Sequence, residues 1–318
     1  AFFSAGVQQM AWEVLTQIVP DTEDMIVSVG LPLVYHNAVF NTAALLVDGR
    51  IAGFVAKRHL AGDGIHYEPR WFKPWPRDNL ARVERDGHRY PIVDVHFNCG
   101  GVRIGFEICE DAWVARRPGS ELSARGVDII LNPSASHFAF SKTDVRRRFV
   151  LEGSRAFALT YIYSNLLGNE AGRAIYDGDA MIATAGRMIA NGTRFSFDET
   201  LVTTAVIDVD LTRMQQERLA SYMPDLASAE AACVDIPFRY PAVEPQEPAP
   251  SQADWERGPH VKEEEFTRAV RLSLFDYLRK SFSKGFVVSL SGGADSAACA
   301  SLVGLMVEGA VAELGLER

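Results

Sequence analysis

No two cysteines stand at C-x-x-C spacing and no histidine lies at zinc-ligand spacing; Cys99, Cys109, Cys233 and Cys299 are scattered. That distribution speaks against a disulfide framework and against a structural zinc site, and fits a reducing, cytoplasmic setting. Positive charge is in deficit as well. A formal net charge of −9 argues against nucleic-acid or anionic-membrane partners, whose surfaces repel a net acid. No apolar stretch approaches the ~18 residues needed to cross a bilayer, so no membrane span is expected. Ala1-Phe2-Phe3-Ser4 lacks a charged n-region followed by an apolar core, so no signal peptide is expected. Internal repeats are absent. What is present is an ordinary globular balance of 47% hydrophobic and 23% charged residues, in a chain of 318 residues that has room for two domains. The chain opens without Met and stops at Glu317-Arg318 inside a helical pattern, so both ends read as internal to a longer protein.

Alternating apolar runs predict strands over 25–30, 41–47 and 51–56, with an Asp48-Gly49 turn between the last two. A second group follows Asp86-Gly87: strands over 90–97 and 102–108, joined by Gly100-Gly101. Residues 127–131 form a short strand after a helix ending at Gly126; 143–158 form an amphipathic helix, and 160–164 another strand. A hairpin at Gly186-Arg187 and a strand over 201–209 close the series. Strands interleaved with helices predict a layered α/β domain.

Composition shifts between 237 and 262. Pro237, Pro241, Pro245, Pro248, Pro250 and Pro259 make a semi-extended linker that cannot build a core. Beyond it, Phe266, Val270, Leu274, Tyr277 and Leu278 follow a helical period from Glu263, with Gly285 as the stop. Residues 286–290 read as a buried strand, followed by Ser291-Gly292-Gly293 and a small-residue helix from about Asp295. Strand, glycine turn and helix together open a nucleotide-binding α/β domain.

A lone cysteine is usually a small buried hydrophobe. Cys109 differs in its setting: it ends an alternating strand and is followed at once by Glu110 and Asp111, a polar surround. Carboxylates alone raise a thiol's pKa, so a thiolate there needs a cation. Lys57, ending the strand over 51–56, is the candidate, either as part of a surface basic cluster or as the stabiliser of a thiolate and an oxyanion.

The run VRIGFEICEDAW, with KRHL and HYEPRWF before it and NPSASHF after it, resembles the nitrilase superfamily. It is most similar to the glutaminase domain of NAD synthetases, and YSNLLGNE and IYDGDAMIATAGRMIA extend the likeness over nearly all of 1–235. The resemblance implies a four-layer α-β-β-α sandwich and a Glu-Lys-Cys triad. Cys109 matches the nucleophile, Lys57 the triad lysine and Glu68 an auxiliary acid. Glutamine binders correspond to Trp113, Ser136 and Lys142. The family's general base lies in a segment ahead of the residues resembling 1–6, so it is expected upstream of Ala1. Where many members carry a tyrosine shortly after the lysine, this chain has Asp63.

Ser291–Ser296 reads SGGADS. A Walker A loop needs a lysine that this run lacks, and an esterase elbow needs Gly-x-Ser-x-Gly and a later histidine, neither of which occurs here. Small residues at a helix start suit a phosphate, and Asp295 suits Mg²⁺ held against phosphates. SGGxDS after an apolar strand resembles the pyrophosphatase loop of N-type ATP pyrophosphatases. That likeness implies ATP contacts at Ser291, Gly292, Gly293, Asp295 and Ser296, and the start of a doubly wound parallel domain.

The resemblances divide the chain into a glutaminase domain (1–236), a linker (237–262) and the beginning of a synthetase domain (263–318). The order matches the glutamine-dependent NAD synthetases. Membership implies glutamine, ATP and deamido-NAD as substrates, Mg²⁺, a homo-oligomer, and deamido-NAD contacts beyond Arg318. The competing reading is a stand-alone amidase or carbamoylase with a non-catalytic tail; a structural protein on an inactivated fold is a third.

Overall fold

The computed structural model describes residues 2–94, 96–170, 173–227 and 233–316. Helix α1 (Ala5–Ile18) leads into β1 (Ile26–Tyr35), β2 (Ala38–Val47) and β3 (Arg50–Ala56), an antiparallel meander. A single helical turn, α2 (Glu68–Trp71), precedes β4 (Leu80–Arg85) and β5 (His88–Val93), which complete a sheet ordered β1-β2-β3-β5-β4. The second sheet is ordered β13-β12-β9-β8-β7-β6-β14. It comprises β6 (His96–Cys99), β7 (Val102–Phe106), β8 (Ile129–Ser134), β9 (Thr160–Asn165), β12 (Met181–Thr184), β13 (Arg187–Asn191) and β14 (Cys233–Ile236). Helices α3 (Pro118–Ala124) and α4 (Lys142–Ala156) cover it, and a ribbon of β10 (Leu167–Glu170) and β11 (Ala174–Asp177) stands apart.

Burial on both faces builds the layers. Along β2, Phe40, Ala44 and Leu46 pack outward with Trp12 and Leu15 of α1, while Ala43, Leu45 and Val47 pack inward. The inner set meets Phe97, Ile104, Phe106 and Ile129 of the second sheet. That sheet's far face, with Ile130 and Tyr161, packs on Leu122 of α3 and Val150 of α4. The period-2 geometry of a strand therefore gives helix, sheet, sheet, helix.

Several sequence expectations are corrected here. The single strand over 90–97 is two strands in different sheets. The break falls at Asp94, whose carboxylate takes Arg58 and, at 3.1 Å, the Asp78 N–H, while Val95 lies outside the described residues. The strand over 102–108 stops at Phe106, which frees the next residues to turn. Residues 201–208 pair with no strand, and Asp208 instead caps α5 (Val209–Arg218), accepting from Asp210 N–H at 3.0 Å and Leu211 N–H at 3.1 Å.

Later in the chain lie α6 (Val261–Ser281) and α7 (Ala294–Leu314). Gly285 does not stop α6; Phe282 does, in the left-handed region at φ 56°, with the Ser283 N–H returning to the Leu278 carbonyl at 3.1 Å. The strand over 286–290 is not formed, and Val287 is fully exposed. A strand without a neighbour leaves its N–H and C=O groups unpaired, and among the described residues no strand pairs with these. Nor is the apolar stripe of α6 the buried one. Phe266 and Tyr277 are about half exposed, while Glu265, Ala269, Leu272 and Asp276 are buried. The expectation that no stretch suits a bilayer also fails: by length and composition alone, α7 is apolar enough to cross one. Alanines and glycines among its Val, Leu and Met residues hid that run.

Buried charge ties α6 to the residues around β10, β11 and Arg194. Arg146, wholly buried, pairs with Asp177 at 2.8 Å and Asp179 at 3.3 Å. Arg194 joins Asp177 at 3.0 Å, Glu256 at 3.2 Å and Glu265 at 2.8 Å. Asp276 accepts the Asn169 N–H at 2.6 Å and pairs with Arg279 and Lys280. Removing one partner of such a pair strands the other in a medium that cannot solvate it. Arg146→Met is therefore expected to lower unfolding free energy by about 3–5 kcal/mol, read from urea melts at pH 7; a shift below ~1 kcal/mol would show that the pairs contribute little.

Candidate active site

Cys109 sits three residues past the end of β7, at φ 48°. A side chain with a Cβ is strained there, and strain of this kind persists only where the surroundings impose it. Asp111 does so: its buried carboxylate takes the Ile108 N–H at 3.0 Å and the His59 N–H at 2.9 Å, and pairs with the His59 ring. The sharp turn aims the thiol into a cavity of about 790 Å³ between the ends of the two sheets.

Lys57 lines the same cavity, its side chain 1% exposed. Its Nζ lies 2.5 Å from Glu68 Oε2. Glu68 is itself pinned by Asn41 Nδ2 at 2.9 Å and the Ala61 N–H at 2.6 Å. The lysine is thus buried, charge-paired and short of freedom, which suits a preorganised oxyanion partner. Burial pushes the Glu110 carboxyl up, and the neighbouring Lys57 charge opposes that shift. Two further carboxylate facts bound the chemistry. Glu170 also lines the cavity and accepts from the Tyr176 hydroxyl at 2.6 Å. Among the described residues no group of three or more His, Cys, Asp or Glu could hold a metal ion.

The expected glutamine binders adjoin this cavity and do not line it. Lys142 Nζ lies 5.5 Å over the Trp113 ring and 3.2 Å from His137 Nδ1. Burial, then the Arg146 guanidinium, push Lys142 down to about 8, while Cys109 acts in the opposite sense. His137 meets His66 at 3.0 Å; burial, then Lys142, lower both, His137 to about 4. Ser136 is buried, its N–H and C=O held by Asn165, its Oγ without a partner among the described residues. Asp63 is exposed; two tyrosines do line the cavity, Tyr176 and Tyr67, the latter stacked under Arg173 at 4.5 Å.

The loop over 291–296 lies apart from this cavity. Ser291, Gly292, Gly293 and Asp295 are exposed and Ser296 is half-buried. Ser291 Oγ meets Ser296 Oγ at 3.2 Å and Gly293 N–H at 3.4 Å, a serine-braced turn at the start of the 21-residue α7. That turn leaves the first N–H groups of α7 for an anion. Asp295 is a single carboxylate, able to hold a cation only together with phosphate oxygens.

Sequence reasoning missed Asn41 and Asp111 as holders of the site. Asp111 was visible inside the CEDAW run; Asn41 contacts Glu68 across 27 residues and left no local signal.

A cysteine in a strained turn past a strand end, sharing a cavity with a buried lysine paired to a half-buried glutamate, defines the class of thiol hydrolases that attack carbon–nitrogen bonds. The chain belongs to the carbon–nitrogen hydrolase family, whose model matches residues 13–218. It is 33% identical over 295 residues to the glutamine-dependent NAD(+) synthetase of Mus musculus, covering 89% of this chain and 40% of that one. The Homo sapiens glutamine-dependent NAD(+) synthetase is 32% identical over 317 residues, 95% of this chain and 44% of that one. The crystal structure of a glutamine-dependent NAD(+) synthetase from Cytophaga hutchinsonii matches with a TM-score of 0.76 at 38% identity, over 99% of this chain and 44% of that one. The chain spans less than half the length of these relatives.

Proposed function

We propose that this chain is the glutaminase domain and the opening of the synthetase domain of a glutamine-dependent NAD synthetase. One observation carries the proposal: a Cys109–Lys57–Glu68 cavity and an SGGADS helix start occur in one chain, in the order found in such enzymes. Cys109 Sγ bonds to the glutamine carboxamide carbon, and the carbonyl oxygen becomes an oxyanion beside Lys57 Nζ. Collapse breaks the C–N bond, and the thiol's proton, carried by the family's glutamate base, leaves with the nitrogen as ammonia. Water then cleaves the thioester to glutamate and restores the thiol. Glu68 positions Lys57 and does not itself react. Ammonia must stay unprotonated to be a nucleophile, so an internal route to the second site is part of the reading.

At the loop, Ser291, Gly292, Gly293 and Ser296 would hold the phosphates of ATP, and Asp295 a Mg²⁺ ion bound to them. ATP adenylates the deamido-NAD carboxylate with release of pyrophosphate; ammonia then forms the C–N bond and AMP leaves. A cytoplasmic homo-oligomer completes the reading. The test is to supply the full-length protein with amide-¹⁵N glutamine, ATP, Mg²⁺ and deamido-NAD, and to look for ¹⁵N in NAD by mass spectrometry. Glutamate release without ATP-dependent labelling would favour the stand-alone amidase.

A pH effect follows for Lys142. A cation whose pKa lies at about 8 loses its charge as pH rises through that value. If Lys142 binds the glutamine carboxylate, KM for glutamine rises severalfold between pH 7 and 9, while Lys142→Arg, which keeps its charge, holds KM flat. A wild-type KM flat over that range would remove Lys142 from the binding set.

A further inference from the structure

A row of buried polar side chains runs from beneath the nucleophile turn to the cavity wall. Glu107, fully buried, takes Arg117 Nη2 at 2.6 Å, the Gly119 N–H at 2.7 Å and the Tyr161 hydroxyl at 2.6 Å. Gly119 is required, because a Cβ there would lie 2.7 Å from Glu107 Oε1 and 2.4 Å from the Phe157 ring. Beyond Tyr161, Asn132 Nδ2 lies 2.7 Å from Tyr161 Oη, and Ser134 Oγ lies 2.6 Å from Asn132 Oδ1. Ser134 lines the cavity together with Cys109.

Proton directions along this row follow from its buried end. A carboxylate facing a guanidinium and an N–H offers only acceptors, so Tyr161 donates to it. Burial, then the Glu107 charge, hold the Tyr161 phenol well above its ordinary range, so it keeps its proton. With that proton committed, Tyr161 Oη accepts from the Asn132 amide, which fixes the amide's orientation. Asn132 Oδ1 then accepts from the Ser134 hydroxyl. A serine has one proton, so Ser134 turns only lone pairs toward the cavity.

Adjacent strands lead this acceptor and the reacting thiol to the same cavity. Phe106 of β7 pairs with Leu131 of β8 in parallel. Ser134 ends β8 three residues past Leu131, Cys109 lies in the turn three residues past Phe106, and both line the cavity. We propose that Ser134 accepts an N–H of the scissile carboxamide and so makes the site prefer amides to esters, with Asn132 and Tyr161 as positioning residues. Taking glutamine as that amide rests on the function proposed above.

Full-length protein is assayed for glutamate release from L-glutamine and from L-glutamate γ-methyl ester, which keeps the skeleton but has no carboxamide N–H. Ser134→Ala is expected to lose about tenfold more kcat/KM on the amide than on the ester, the scale of one hydrogen bond in a dry site. Tyr161→Phe shifts the amide-to-ester ratio in the same direction, and Ser134→Thr, which keeps the hydroxyl, retains the wild-type ratio. Equal losses on both substrates, or no loss, overturn the proposal, since a purely structural residue does not distinguish NH₂ from OCH₃. Should the wild type hydrolyse neither, the glutamine reading is what fails. The same variants on a short aliphatic amide and its methyl ester then decide the role of Ser134.

Discussion

Cys109→Ala in the full-length protein is expected to abolish glutamine-dependent NAD synthesis and to leave ammonia-dependent synthesis in place. Alanine keeps the Cβ that cysteine already carries at φ 48°, so the turn held by Asp111 is not asked to accept a new strain. Only the sulfur is lost, and with it the thioester that divides one difficult amide hydrolysis into two easier steps. The serine-braced loop at the start of α7 lies outside the Cys109 cavity, and added ammonium bypasses the first half-reaction. The two rates are measured side by side on the same folded preparation. Loss of both in a folded variant would refute two separable sites, and surviving glutaminase turnover would remove Cys109 from the chemistry.

Lys57→Met is expected to slow glutaminase turnover by at least ~10²-fold, the scale of losing one oxyanion stabiliser. Methionine approximates the length of the lysine stem without its charge, so the loss is electrostatic rather than steric. KM should change less, because the carbonyl carries little charge before attack and a full one after it. The buried position sharpens the effect: water that would replace the charge has almost no access to a side chain 1% exposed. Glu68 keeps Asn41 and the Ala61 N–H as partners, so a parallel urea melt separates instability from slow chemistry. An unchanged kcat with a raised KM would make Lys57 a binding residue.

Much of this was legible in the residues. CEDAW and NPSASHF pointed to Cys109 and its neighbourhood because the chemistry of a reactive thiol demands particular types close together in sequence. Strands recurring with helices between them announced a layered α/β domain whose sheets are covered on at least one face. The misreadings share one cause, which is that partners distant in sequence override local pattern. The apolar period of α6 gave a face that the fold leaves half exposed, because Arg194 and the Asn169 N–H draw Glu265 and Asp276 inward. The strand over 286–290 had the right composition but no neighbour to complete its ladder.

By itself, then, the sequence determined the family and singled out Cys109, Lys57, Glu68 and the SGGADS turn as candidates, since each depends on residue types at short spacing. Only the tertiary structure decided that Lys57 and Glu68 meet at 2.5 Å, that Asp111 bends Cys109 into a left-handed turn, and that a single run over 90–97 divides between two sheets. The direction of the row from Glu107 to Ser134 belongs to the same group. It is set by hydrogen bonds between residues as many as 54 positions apart, and a donor's orientation has no signature in a linear pattern.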